Sequence, residues 1–191
     1  MARPDDILKY WLDEVGEEGW YKGGEDLDAE IREKFEDDWN QIMAGGNSLW
    51  LTYPSGSLAY IIVTDQFSRN MFRDTAKAFA SDRVALAAAK SAISKQWDKR
   101  IDGQARQFFY MPLMHSECLS DQDRCVRLMK ERMPDGGASN LAHAKAHRET
   151  IRLFGRFPTR NQALARKMTQ PEAAFVAEGG YRKALEMVGA A

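Results

Sequence analysis

A chain of 191 residues, 44% of them hydrophobic, suits one domain with a substantial core. No apolar stretch reaches the roughly 18 residues of a membrane span, and Met1-Ala2-Arg3-Pro4-Asp5-Asp6 leads into an amphipathic segment rather than a signal peptide. The formal net charge of −1 hides an uneven distribution: residues 1–40 carry fourteen Asp/Glu against five Lys/Arg, residues 143–168 seven Lys/Arg against one acid, Glu149.

In chain order, nearly every segment reads as helix. Pro4 suits a first turn, with Asp5 and Asp6 at the positive end of the dipole. Ile7, Leu8, Trp11 and Leu12 form one stripe, and Gly16, Gly19, Gly23 and Gly24 mark a loop. A second helix spans 27–43 with Ile31, Phe35, Trp39 and Ile42 inward, ended by Gly45-Gly46. Leu49 to Tyr53 is a short strand candidate. A third helix, 57–69, is apolar nearly all round and should be central. A fourth, 82–97, carries Ala85, Ala87, Ala88, Ala89 and Ala92, small enough to let a neighbour approach. A fifth, 104–117, should break or bend at Pro112. Ser120 caps a sixth, reaching Met133. Pro134-Asp135-Gly136-Gly137 is a loop. A seventh helix, 140–154, stops at Gly155 with Pro158 beyond. Thr159 with Gln162, and Thr169 with Glu172, read as capping boxes of an eighth and a ninth. The expected fold is all-α, one domain over residues 1–191, an array of antiparallel helix hairpins. There is no clean internal repeat, and the tetratricopeptide signature is absent.

Three segments set polar groups among apolar ones, where burial without a partner is costly. On a helical wheel Asp65 and Arg69 share the face of Leu58 and Ile62, so they can pair one turn apart. Asn70 and Arg73 follow at the helix end. Arginine suits bidentate recognition of carboxylate or phosphate. His115 shares a face with Phe108 and Met111, close to Glu117, and His147 lies near Ile151 and Phe154. His143 and His147 have the spacing of two metal ligands, but the Glu of a His-Glu-x-x-His helix is missing. In Phe154-Gly155-Arg156-Phe157-Pro158-Thr159-Arg160-Asn161, Gly155 suits a left-handed turn, and the next helix start, with Arg160 and Asn161, could hold an anion. Cys118 and Cys125, seven apart on one helix, would stand about 10.5 Å apart along its axis, too far for a disulfide. That fits a reduced, cytoplasmic protein.

These residues also carry a resemblance. Asp65 to Arg73, Phe108 through Glu117, and His147 through Asn161 resemble the three marked runs of the bacterial domain-of-unknown-function 924 family. Ser68 departs from the pattern, which often has proline there, and that should affect only the end of the third helix. The resemblance implies an all-helical, tetratricopeptide-like fold and no particular activity.

The reading is therefore a cytoplasmic protein binding a small anionic ligand in a polar pocket. The candidate residues are Asp65, Arg69, Asn70, Arg73, His115, Glu117, His147, Arg156, Arg160 and Asn161. The arginines and Asn161 would be anion donors, and Asp65 and Glu117 would orient Arg69 and a histidine. No residue is assigned as catalytic, though His115 or His147 would be the acid–base if chemistry occurs. No metal or cofactor is expected. The alternatives are an adaptor whose groove takes a peptide or protein, and RNA binding through 143–168. The acidic start can face the basic end within the chain or across a homodimer. The three motifs are expected to meet around one network, because buried polar groups need partners.

Overall fold

The computed structural model of the chain describes residues 2–101, 103–133 and 137–190, and among them there is no strand. The chain divides into two compact units, residues 1–112 and 113–191. Most of the loop expected at 134–137 lies outside the described residues.

In the first unit, α1 (Pro4–Leu8) widens into a π-helical segment, Lys9–Val15, and Gly16, at φ +62°, then turns the chain into α2 (Gly16–Lys22). The glycine-marked loop is therefore largely helical. Aromatic packing overrides the weak propensity of glycine: the Trp20 indole donates to the carbonyl of Trp11 at 2.6 Å, and the two rings stack. Next is α3 (Glu25–Met43), burying Ile31, Phe35, Trp39 and Ile42 as its spacing requires. The strand candidate is a 3-10 helix, Ser48–Thr52.

Residues 54–71 form the centre of this unit. They comprise α4 (Pro54–Ile61), a π segment (Ile62–Phe67) and α5 (Ser68–Met71). Residues 56–68 are all buried except Gln66, as an all-round apolar helix should be. Phe67 stacks on Phe35 at 4.8 Å and meets Trp11 edge-on at 5.3 Å. The wide turn is braced by hydroxyls. Thr64 Oγ1 donates to the Tyr60 carbonyl at 2.7 Å, and Ser68 and Ser81 both donate to the Thr64 carbonyl. At Ser68 the helix continues without a break, and its hydroxyl makes one of those bonds.

A 3-10 turn, Ala76–Phe79, leads to α6 (Asp82–Ser94), which packs on α4 through its alanines. Beyond it lie 3-10 helices Trp97–Arg100 and Gly103–Phe109 and the short α7 (Met111–Met114) at the border of the units. The expected helix over 104–117 is thus two pieces. Pro112 sits in the first turn of α7, where its missing N–H costs nothing.

The second unit contains α8 (Leu119–Arg132) and α9 (Ala138–Phe154), which pack along one another. Cys118, not Ser120, is the residue that precedes α8. Gly155 ends α9 with φ +68°, the left-handed turn its sequence calls for. The eighth helix does not form. Pro158–Arg160 is a single 3-10 turn, and the following residues curl back until the Arg166 amide reaches the Asn161 carbonyl at 2.8 Å, with Ala165 at φ +51°. A left-handed residue closing a wide turn is a helix stop. The capping box at Thr169 and Glu172 does open a helix, α10 (Gln170–Ala177). After Gly179-Gly180 comes α11 (Tyr181–Met187), which the sequence reading missed. Phe175 and Ala184 bury against Ala146, flanked by Phe154, Leu185 and Val188.

Candidate functional site

The first motif is organised around two carboxylates of its own unit. Asp65 is 1% exposed and lies 3.4 Å from Arg69 Nη1, which also donates to the Asp65 carbonyl at 2.6 Å. Gln66 donates to the other Asp65 oxygen. Arg69 Nη2 reaches Asp82 at 2.9 Å, so the guanidinium spans two acids. One turn on, Asn70 and Arg73 converge on Asp28 of α3. Asn70 Nδ2 lies 2.8 Å from Oδ1, and Arg73 Nε and Nη2 lie 2.5 and 2.8 Å from the two oxygens. Burial alone would raise the Asp28 carboxyl, but the bonds from Arg73 and Asn70 outweigh it and hold the group below its ordinary range. Arg32 closes the corner by donating to the Met71 carbonyl.

The second and third motifs share one network in the second unit. Its hub is Glu117. Arg166 grips it in a bidentate fork at 2.7 and 2.9 Å, and the Phe157 amide donates at 2.8 Å. Burial would raise Glu117, yet Arg166 and the Phe157 amide hold it low. Arg166 Nε donates to Asn161 Oδ1 at 2.8 Å, and Asn161 passes its own amide to the sulfur of Met168. Arg160 donates to the His115 carbonyl at 3.0 Å and lies over the Phe157 ring. Ser116 donates to Asp121, while Gln122 caps the carbonyls of Met114 and Ser116. The turn carrying His115 is thereby tied to α8 and to the 155–166 loop.

Two expected roles change. Arg156 does not present itself to a ligand: it forks onto Glu172 at 2.5 and 2.8 Å and also donates to the Lys167 carbonyl. Glu172, pulled far below its ordinary range by Arg156 first and Thr169 next, is therefore shared between the cap of α10 and this pair. Glu117 orients Arg166 and a backbone amide, not Arg69 or a histidine. The anion site expected at the eighth helix start goes with that helix.

All three histidines of the chain gather in the second unit. The rings of His115 and His147 are 6.1 Å apart. His147 also meets Phe157 at 5.4 Å and Tyr181 at 5.0 Å, both edge-on. Its Nδ1 donates to the His143 carbonyl at 2.9 Å, which fixes the lone pair on Nε2. No partner for Nε2 occurs among the described residues. Burial first, then neighbouring His115, pushes His147 down to about 3, so the ring is neutral at pH 7. His143 stacks on Tyr181 and hydrogen-bonds its hydroxyl, and burial pushes that phenol up to about 12. Among the described residues, no three His, Cys, Asp or Glu side chains are arranged to hold a metal ion.

Sequence reasoning missed Asp28, Asp82, Arg166 and Tyr181. Asp28 had a signal, since it stands three residues before Ile31 on the buried stripe of α3. Arg166 was visible only as one charge of a basic stretch, and Tyr181 belongs to the helix that was missed.

An all-helical protein whose three polar motifs each tie a helix end to a loop is the class this geometry defines. Residues 7–180 match the family model described as "Bacterial protein of unknown function (DUF924)", and the chain belongs to that family. A solved structure, that of a protein of unknown function, ATU0120, from Agrobacterium tumefaciens, is similar to it. The two share 33% identity over 92% of this chain and 97% of that one, with a TM-score of 0.85. No curated protein matches the chain.

Proposed function

We propose that the protein is a cytoplasmic binding protein whose second unit takes a small anionic ligand at the histidine cluster. The observation that carries this reading is His147. Its ring is neutral and half-buried, its tautomer is fixed by His143, and its Nε2 has no partner among the described residues. That nitrogen is not sealed from solvent, so a ligand hydroxyl or amine can reach the fixed lone pair and donate to it. Arg160, steadied by the Phe157 ring, supplies the positive charge for the ligand's carboxylate or phosphate. Residues 113–191 carry thirteen Lys/Arg against nine Asp/Glu, which favours an anion over a cation. A group with a pKa near 3 is a weak proton acceptor at neutral pH, so His147 positions a ligand rather than moving its proton.

Four of the seven basic residues of 143–168 already face carboxylates: Arg148 with Asp123, Arg152 with Glu149, Arg156 with Glu172 and Arg166 with Glu117. That weakens the case for RNA. Neither Cys118 nor Cys125 is in a disulfide among the described residues, in keeping with a reducing compartment, and no helix among the described residues is long and apolar enough to cross a membrane.

The test is thermal stabilisation by small hydroxylated anions, with glycerol 3-phosphate and lactate as probes, at two salt concentrations. Stabilisation that persists at high salt, is lost in His147→Phe and weakens in Arg160→Ala supports the site. No response to either probe, with recovery of a specific protein partner, would replace it with the adaptor reading.

A further inference from the structure

The alanine face of α6 frames an open cleft that none of the three motifs touches. Val84, Ala87, Ala88 and Ser91 of α6, with Ala80 just before it, line one side, facing Ser57 and Tyr60 of α4 and Leu51 of the preceding 3-10 helix. The cleft has a volume of about 660 Å³, inside the range of small-molecule sites. It exists because the stripe is small: a Leu at 87 or 88 would fill the space the alanines leave.

Two polar side chains give the cleft a chemical direction. Tyr60 is 7% exposed, lines the cleft, and its hydroxyl makes no hydrogen bond to any described residue. Burial alone raises its pKa, with no charged neighbour contributing. Unlike the Tyr10 hydroxyl, that of Tyr60 is not sealed from solvent, so it opens to the cleft, where a ligand can bond it. Arg83 stands exposed among the lining residues and makes no ion pair or hydrogen bond among the described residues. That contrasts with Arg69, Arg73, Arg156 and Arg166, each forked or bridged to acids. The site therefore offers an apolar wall, one phenolic hydroxyl without a partner among the described residues and one uncommitted guanidinium.

We propose that this cleft binds a small carboxylate with an apolar body and a second polar group, the carboxylate paired with Arg83 and the polar group hydrogen-bonded by the Tyr60 hydroxyl. The body lies against Leu51, Val84 and the alanines. A site built to bond a ligand hydroxyl rejects the analogue that lacks it, because its own polar group is then left unpaired.

The probes are 4-hydroxyphenylacetate, phenylacetate without the hydroxyl, and 4-hydroxyphenylacetamide without the charge. Binding to the full chain is followed by isothermal titration and by NMR shifts. The hydroxylated acid should bind most tightly, and each analogue should lose about tenfold. Arg83→Gln should erase the preference for acid over amide. Tyr60→Phe should erase the preference for the hydroxylated probe without lowering the melting temperature, since that hydroxyl has no protein bond to lose. Ala87→Trp, at an exposed position, should fold normally and abolish binding. Absence of binding by all three probes at millimolar concentration, binding that survives Ala87→Trp, or a lower melting temperature in Tyr60→Phe would each overturn the proposal. His147→Phe should leave this binding unchanged, so the cleft and the histidine cluster fail or stand separately.

Discussion

At the scale of single residues, the arginines of the motifs divide by what they hold. Arg69 is held by two acids of its own unit, one of them almost fully buried, and it also satisfies a backbone carbonyl. Removing it leaves Asp65 with a charge and fewer partners, which costs about 3 kcal/mol where one member of a buried pair is lost. Arg69→Ala should therefore unfold at a clearly lower urea concentration, and an unchanged midpoint would show that Asp65 manages without it. Arg166 is gripped more symmetrically, but its side chain and that of Glu117 are 22% and 28% exposed. Water then softens the loss, and Arg166→Ala should cost about 2 kcal/mol. Glu117→Gln should cost less, because the amide oxygen still accepts from the Phe157 N–H. A larger loss for Glu117→Gln than for Arg166→Ala would mean that the pair is not the hub of this network. Asp65 and Arg69 were legible because the helical wheel sets both on an apolar face. Arg166 was not, because its partner lies 49 residues away and only the turn at 161–166 brings them together.

At the scale of elements, local signals succeeded where one residue type decides the backbone. Gly155 takes φ +68°, and a Cβ there would meet no atom within 4 Å, so Gly155→Ala isolates the backbone term. It should lower stability by about 1 kcal/mol through strain alone, and a neutral result would show that α9 tolerates a different ending. Thr169 and Glu172 form the cap their spacing announces. The same logic failed at Thr159 and Gln162, where the pattern is present and the helix is not. There Arg160 is drawn to the distant His115 carbonyl and Asn161 to Arg166 within the same turn, and these bonds outweigh the capping preference. At Gly19 the override runs the other way, with Trp11 and Trp20 packing a glycine into helix, whereas Gly16 keeps a positive φ of +62°. The π turn at 62–67 could not be read at all. It depends on Thr64, Ser68 and Ser81 supplying hydroxyls to the widened carbonyls, and Ser81 comes from outside the helix.

At the scale of the whole molecule, stability integrates these groups and makes their protonation measurable. His147 is lowered to about 3 from its ordinary 6.5. Between those values the unfolded chain binds a proton that the folded chain refuses, so stability rises with pH across the window and is lost on acidification from 6.5 toward 3. Asp28 and Glu117 are also lowered, but their contribution is intact above the ordinary carboxylate range near 4 and falls away only below it. The two causes therefore separate on the pH axis. From pH 7 to pH 4.5 the decline belongs mainly to the histidine cluster, and it should amount to a few kcal/mol by urea titration. His147→Asn keeps a donor for the His143 carbonyl and cannot titrate, so it should flatten that limb while leaving the steeper fall below pH 4 in place. A wild-type curve that is flat from pH 7 to 4.5 would show that His147 is open enough to take up its proton in the folded state. It would also remove the neutral acceptor on which the proposed ligand site depends.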